Sequence, residues 1–195
     1  MKKILFIDRD GTIIKEAPPE YRIDSFSKLE FYPHVFQYLG KIVREFDYEL
    51  IMVTNQDGLG DADFPEAAFQ PVHDLVMKSF ANEGIIFSAV HIDRSYPAEN
   101  KNTRKPGTGM LTAYLNDPAY DIANSFMIGD RITDMQLAKN LGCKGFWLND
   151  DMTLGAAEIN NSIEELRRST IVVETPDWVA IYDYLKMVFY EKNET

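Results

Sequence analysis

Apolar residues in this chain fall into two alternating kinds of run. Short, nearly unbroken runs at ILFI (4–7), ELIMVT (49–54), IIFSAVHI (85–92), NSFMIG (124–129), KGFWL (144–148) and TIVVE (170–174) read as strands. Several are apolar at successive positions, as expected of a parallel sheet covered on both faces. Between them, apolar residues recur at helical spacing. Val35, Phe36, Leu39, Ile42, Val43 and Phe46 form one stripe, with Pro33 as a first-turn residue. Phe69, Val72, Leu75, Val76 and Phe80 form a second stripe, ending near Gly84. Met110, Leu111, Tyr114 and Leu115 predict a third helix. Ile132, Met135, Ala138 and Leu141 predict a fourth, closed by Gly142. A last stripe runs from Trp178 to Phe189, behind Pro176 and Asp177.

Strand and helix alternate, so the expected fold is α/β, a doubly wound, mainly parallel, Rossmann-like sheet. We expect one domain over residues 1–195, without a large cap. Residues 13–31 are too long for a simple βα loop and read as a flap. Residues 93–106 (DRSYPAENKNTRKP) form a polar loop, and 149–169 a polar, partly helical segment. Ligands of open α/β sheets bind beyond the carboxyl ends of the strands, where the first two loops would overhang.

Composition narrows the function. The chain has 195 residues, 45% hydrophobic and 26% charged, the balance of a globular protein. Its 31 acids outnumber 20 bases, giving a net charge of -11 that repels nucleic acid. A single cysteine, Cys143, excludes an internal disulfide and reads as a buried thiol. MKK is followed by only four apolar residues, too few for a signal peptide or membrane span. The expected location is the cytoplasm.

The candidate chemistry lies at the strand ends. Asp8 and Asp10 follow the first strand, Thr54 and Asn55 end the second, and Asp130 follows the fourth. Lys105 precedes a helix after the 93–106 loop. Clustered carboxylates resist ionisation unless a cation joins them, and Mg²⁺ takes carboxylate, water and phosphate oxygens. Thr54, Asn55 and Lys105 suit a phosphate. One carboxylate can attack phosphorus while another, two residues on, moves the proton. DRDGT, TN, RKP and GDRITD each have a plain reading as turn or capping chemistry. Their placement together at strand ends, in this order, favours the functional reading.

DRDGT, VTN, RKP and GDRITD, spanning residues 8 to 134, resemble the four motifs of the haloacid dehalogenase superfamily of phosphotransferases. The resemblance implies a Rossmann-like core, one Mg²⁺ and a phospho-aspartyl intermediate. It makes Asp8 nucleophile and metal ligand, and Asp10 the general acid/base with a metal-touching backbone carbonyl. It makes Thr54 and Asn55 phosphate-binding, Lys105 the neutralising lysine, Asp130 a metal ligand and Asp134 a supporting acid. Arg131 and Arg104 are placed either to support phosphate or to pair with nearby acids. Glu16 and Gln56 are candidate contacts for a cationic substrate end or plain loop residues. His34 and His73 read as structural or exposed, and Trp147 and Trp178 as core.

Much of residues 3–147, including TNQDGLG and IGDRITDMQLAKNLG, is similar to the histidinol-phosphate phosphatase family. That family occurs as the amino-terminal half of a bifunctional enzyme with imidazoleglycerol-phosphate dehydratase. Heptose-bisphosphate phosphatases resemble the chain too but usually read TNQSG. Members of this subgroup commonly hold a structural zinc through three Cys and one His in the loop before RKP. Here the matching positions are Asp93, Ser95, Lys101 and Thr103, with His91 nearby, so no zinc is expected. The expected partner is a small phosphorylated metabolite, histidinol phosphate first, with no nucleic acid and no membrane. A heptose-type sugar phosphatase, a polynucleotide 3′-phosphatase and a non-catalytic phosphate-binding protein are the competing readings. A stand-alone enzyme and a piece fused to, or working with, the dehydratase both remain open.

Overall fold

The computed structural model describes residues 1–148 and 154–193. Six parallel strands, β1 (Lys3–Ile7), β2 (Tyr48–Asn55), β3 (Phe87–Asp93), β4 (Phe126–Gly129), β5 (Lys144–Trp147) and β6 (Ile171–Glu174), form one sheet. Their order is β3-β2-β1-β4-β5-β6, with each neighbouring pair parallel. The order reverses between β1 and β4, which opens a crevice at their carboxyl ends.

Alternate residues of each strand enter opposite cores because side chains alternate across a sheet. Leu5 and Ile7 join Leu50, Met52 and Ile128 on one face. That face is covered by α1 (Val35–Glu45), α2 (Glu66–Asn82) and α6 (Trp178–Asn193). Ile4 and Phe6 join Ile51, Val53 and Met127 on the other, under α4 (Ile132–Leu141) and α5 (Ile163–Ser169). Both faces are therefore dry, and near-continuous apolar runs are what each inner strand needs. The doubly wound expectation holds.

Several boundaries differ from the sequence reading. Pro33 precedes helix α1, whose N-cap is His34 in the left-handed region (φ 62°), so Pro33 is not a first-turn residue. The third stripe forms a 3₁₀ turn, Gly109–Leu111, and then a single α-turn, α3 (Thr112–Leu115). Four apolar residues across two turns suffice for one contact patch but not for a longer helix. The third and fourth strands begin at Phe87 and Phe126, two residues later than expected. Gly142 caps α4 at φ 85°, as its position implied. Of the 149–169 segment, 163–169 is helical, Ala156–Glu158 is a 3₁₀ turn, and 149–153 lie outside the described residues.

The 13–31 segment is closed at its base. Ile14 and Phe31 form an antiparallel bridge, and Lys15 N–H donates to the Glu30 carbonyl at 2.7 Å. Ile13, Ile14 and Ile23 are buried, which ties the flap to the core below α1. Among the described residues, no helix is long and apolar enough to cross a membrane.

Candidate active site

The reversal point of the sheet brings the first and fourth strand ends side by side. Ile7 pairs with Ile128, and Asp8 N–H donates to the Ile128 carbonyl at 2.9 Å. Asp8 and Asp130 therefore project from adjacent strands into one crevice. Both indoles read as core brace the backbone here. Trp147 Nε1 donates to the Asp130 carbonyl at 2.8 Å, and Trp178 Nε1 donates to the Thr12 carbonyl at 3.0 Å.

Two glycines leave room for the acids. A Cβ on Gly11, which sits at φ +76°, would lie 2.1 Å from Asp130 Oδ2. A Cβ on Gly129 would lie 2.2 Å from Asp134 Oδ2. Neither contact tolerates a side chain, so the acid cluster depends on both positions lacking one.

Lys105 is the centre of the cluster and is almost fully buried. Its Nζ lies 2.7 Å from Asp8 Oδ1 and 2.8 Å from Asp134 Oδ1. Burial alone disfavours the ammonium, but Asp134 and then Asp8 outweigh it and raise its pKa. Burial pushes the Asp8 carboxyl up to about 6 against the pull of Lys105, with Asp134 and Asp10 adding to the rise. Asp130 is also raised, by burial and then by Asp8, Asp134 and Glu16, against the pull of Arg131. The cluster is thus short of positive charge.

Oxygens of Asp8, Asp130 and Asp134 can lie within 4.8 Å of one another. Asp134 is already engaged, with Lys105 on one oxygen and the Arg131 backbone N–H on the other at 3.1 Å. Asp130 Oδ1 and Asp134 Oδ1 are both buried without a hydrogen bond among the described residues, but Asp134 Oδ1 has the Lys105 ammonium at 2.8 Å and Asp130 has no such ion pair there. Asp8 and Asp130 therefore fit a divalent cation, and Asp134 fits the lysine.

The remaining expected site residues divide by contact. Thr54 is buried at the second strand's end and its Oγ1 accepts from Gln56 Nε2 at 2.9 Å, which leaves its hydroxyl hydrogen for another acceptor. Asn55 lines the crevice and also braces it. It holds the Lys105 backbone, with Nδ2 donating to the carbonyl at 3.2 Å and Oδ1 accepting from the N–H at 3.0 Å. Gln56 is 4% exposed and donates to Asp10 Oδ2 at 2.5 Å, so its amide nitrogen is engaged by the second acid. Position along a strand end was legible, but whether a short amide points to ligand or to backbone was not.

Glu16 and Arg131 face one another, with Arg131 Nη2 donating to Glu16 Oε1 at 2.5 Å. Burial raises the pKa of Glu16 in spite of Arg131. Arg104 pairs with Asp57 at 2.5 Å and Glu158 at 3.1 Å and also donates to the Ser95 carbonyl at 3.0 Å. Glu16, Arg131, Arg104 and Glu158 line one cleft with Asp8, Asp10 and Lys105, while Asp57 lines the adjoining hollow with Gln56 and Tyr96. Tyr21 joins them from the flap, its ring 5.8 Å from the Arg131 guanidinium carbon. Glu158 and Tyr21 lay outside the motifs, and no spacing in the sequence marked them.

Of the expected structural residues, His34 caps α1 and His73 is buried against Phe69. Burial pushes the Cys143 thiol up to about 12, the behaviour of an inert core thiol. The 93–106 loop does not fit zinc at the positions of the resemblance. Asp93 Oδ1 accepts from Ser95 N–H at 2.9 Å and Ser95 Oγ at 2.5 Å, and Oδ2 accepts from Thr103 Oγ1 at 2.6 Å. Lys101 is exposed and pairs with Glu99 at 2.8 Å. His91 Nε2 instead shares a hydrogen bond with Tyr114 Oη at 3.0 Å. A buried carboxylate thus ties both ends of the loop. Asp93→Ala is expected to lower the unfolding free energy by about 1–3 kcal/mol, because it strands buried donors; urea unfolding measures it, and an unchanged midpoint would remove the loop's anchor from Asp93.

A family model of HAD-hydrolase-like proteins matches residues 102–175. The bifunctional histidine biosynthesis protein HisB of Spirosoma linguale is 48% identical over 189 residues, 96% of this chain. The same-named protein of Bacteroides fragilis is 49% identical over 185 residues, 94% of this chain. Both similarities run through the motifs that the crevice assembles. The chain belongs to the haloacid dehalogenase superfamily. The D,D-heptose 1,7-bisphosphate phosphatase of B. bronchiseptica, solved with magnesium and phosphate, shares the fold with this superfamily member. Its TM-score is 0.76 at 23% identity, covering 96% of this chain and 99% of that one. This haloacid dehalogenase chain spans about half the length of the HisB proteins, 49% and 47% respectively.

Proposed function

We propose that this chain is a Mg²⁺-dependent phosphomonoester hydrolase that works through an aspartyl-phosphate and acts on histidinol phosphate in histidine biosynthesis. The observation that carries the chemistry is the buried Lys105 held 2.7 Å from Asp8 and 2.8 Å from Asp134, beside Asp130 with an unused buried oxygen. The substrate rests on the similarity to HisB proteins over nearly the whole chain. Asp8 attacks phosphorus in line with the ester oxygen, because its carboxylate sits at the crevice floor beside the lysine. Asp10, 13% exposed at its side chain, gives a proton to the departing oxygen. It then takes one from the water that hydrolyses the aspartyl-phosphate. Thr54 and Lys105 hold the phosphoryl oxygens, and Asp134 holds Lys105 in place.

Asp8 and Asp130, with the Asp10 backbone carbonyl, would hold Mg²⁺. The ion would supply the positive charge that lets a carboxylate approach a phosphate dianion. Glu16, Asp57 and Glu158 outnumber Arg131 and Arg104, with which they pair, so this wall keeps a net negative charge that suits a cationic imidazole and amine. In the cell the chain is expected in the cytoplasm, with an imidazoleglycerol-phosphate dehydratase as fused or separate companion.

The test is phosphate release from L-histidinol phosphate, D,D-heptose 1,7-bisphosphate and a 3′-phosphorylated oligonucleotide, with Mg²⁺ and then with chelator. Histidinol phosphate is expected to give the highest kcat/KM, and chelation to remove the activity. A preference for another member of the panel overturns the substrate. Release from none of them promotes a non-catalytic phosphate-binding role.

A further inference from the structure

Arg9 lies between the two acids of DRD, and its side chain is fully buried. Nη1 donates to Asp10 Oδ1 at 2.7 Å. The guanidinium carbon stands 4.9 Å from the centre of the Phe69 ring, and His73 stacks on the same ring at 5.2 Å. Burial and then Arg9 push the His73 pKa down to about 4, so the imidazole brings no second charge. Nε and Nη2 of Arg9 are buried without a hydrogen-bond partner among the described residues. Burying a cation with unused donors is costly. An apolar side chain of similar volume often holds such a position at least as stably. What the guanidinium does here that an apolar side chain cannot is grip Asp10.

The grip is two-sided. Gln56 Nε2 donates to the other Asp10 oxygen at 2.5 Å, and the Gln56 backbone N–H is itself fixed to the Asp93 carbonyl at 2.7 Å. Each carboxyl oxygen keeps a second lone pair for a proton. We propose that Arg9 is a positioning residue that, with Gln56, clamps the Asp10 carboxyl group in line with the leaving oxygen. This rests on the reading of Asp10 as the proton carrier. In the first step the Asp8–phosphorus bond forms, the phosphorus–ester oxygen bond breaks, and the Asp10 proton goes to that oxygen. In the second, water oxygen bonds to phosphorus, its proton returns to Asp10, and Asp8 leaves as the carboxylate.

A clamp on the proton donor matters in proportion to the basicity of the leaving group. An alkoxide needs the proton, whereas 4-nitrophenolate departs without it. Positioned acid–base groups contribute about 10²–10⁴-fold. Arg9→Met is therefore expected to lose about 100-fold in kcat/KM on the alkyl phosphate that the wild type hydrolyses best, and less than about 5-fold on 4-nitrophenyl phosphate. With the aryl ester, kcat is expected to fall more than kcat/KM, with a burst of nitrophenolate, because the second step still needs Asp10. Gln56→Leu is expected to repeat the pattern with a smaller loss. If Arg9→Met does not fold, Arg9→Lys carries the test, with the same selectivity at a smaller size. Asp10→Asn is the reference. If Asp10→Asn spares neither ester selectively, the role of Asp10 falls and the clamp falls with it. If Asp10→Asn discriminates and the Arg9 and Gln56 variants lose both esters equally, or neither, the clamp alone is overturned.

Discussion

Asp8→Asn abolishes phosphate release, by at least about 10⁴-fold in kcat, while the metal-free protein stays as stable as wild type or becomes more stable. The first half follows from the nucleophile, since an amide oxygen next to Lys105 cannot form the aspartyl-phosphate. The second half follows from burial. The Asp8 pKa is raised to about 6, so the folded protein binds a proton that the unfolded chain, with an ordinary carboxylate near 4, has released. Stability then falls as pH rises from about 4 to 6, and Asp130, raised by burial and by Asp8, extends the fall in the same direction. Lys105 adds no slope in that window, because its folded and unfolded forms are both protonated there. Asn at position 8 removes one of the buried charges responsible. Urea unfolding with chelator at pH 5 and 7, beside a phosphate-release assay, measures both halves. Wild-type turnover would remove the nucleophile from Asp8; a lower midpoint at pH 7 would remove the electrostatic argument.

Lys105→Met has the opposite signature, losing both activity and stability. It takes the one buried ammonium from between Asp8 and Asp134 and leaves the acids whose oxygens lie within 4.8 Å uncompensated. Breaking a buried ion pair by deleting one partner costs about 3–5 kcal/mol. Loss of a group that neutralises transition-state charge costs about 10²–10³-fold in kcat. The double variant Asp8→Asn with Lys105→Met is expected to unfold at higher urea than Lys105→Met alone, because the stranded charge is gone. Additive effects in that cycle would show that the lysine and Asp8 are not coupled.

The frame of the site was legible because its signals are local. An apolar run that ends in an acid states both that the strand is buried and where it stops, as at Ile7–Asp8 and Gly129–Asp130. Asp134 could be placed near Asp130 from helical spacing alone, since it lies at the third position of α4. Within the site, what the sequence left open concerns amide direction and charge partnering. Asn55 faces the Lys105 backbone, and Gln56 faces Asp10. Glu16 finds its arginine 115 residues away, and Arg104 finds Asp57 and Glu158 at separations of 47 and 54. No local pattern encodes a pairing over such distances.

The sequence by itself therefore determined the strand–helix alternation, the two-faced burial of the sheet and the presence of acids, a lysine and a threonine at strand ends. Those depend on hydrophobic periodicity and on chain connectivity, which a one-dimensional pattern carries. Only the tertiary structure decided that Asp134 belongs to Lys105 while Asp130 keeps an oxygen free, that Arg9 turns inward to hold Asp10, and that Asp93 ties the loop with hydrogen bonds. Each of those depends on which buried polar groups meet across the sheet's reversal point. Burial without a partner is too costly to be left to chance, but the partner is named only when distant segments fold together.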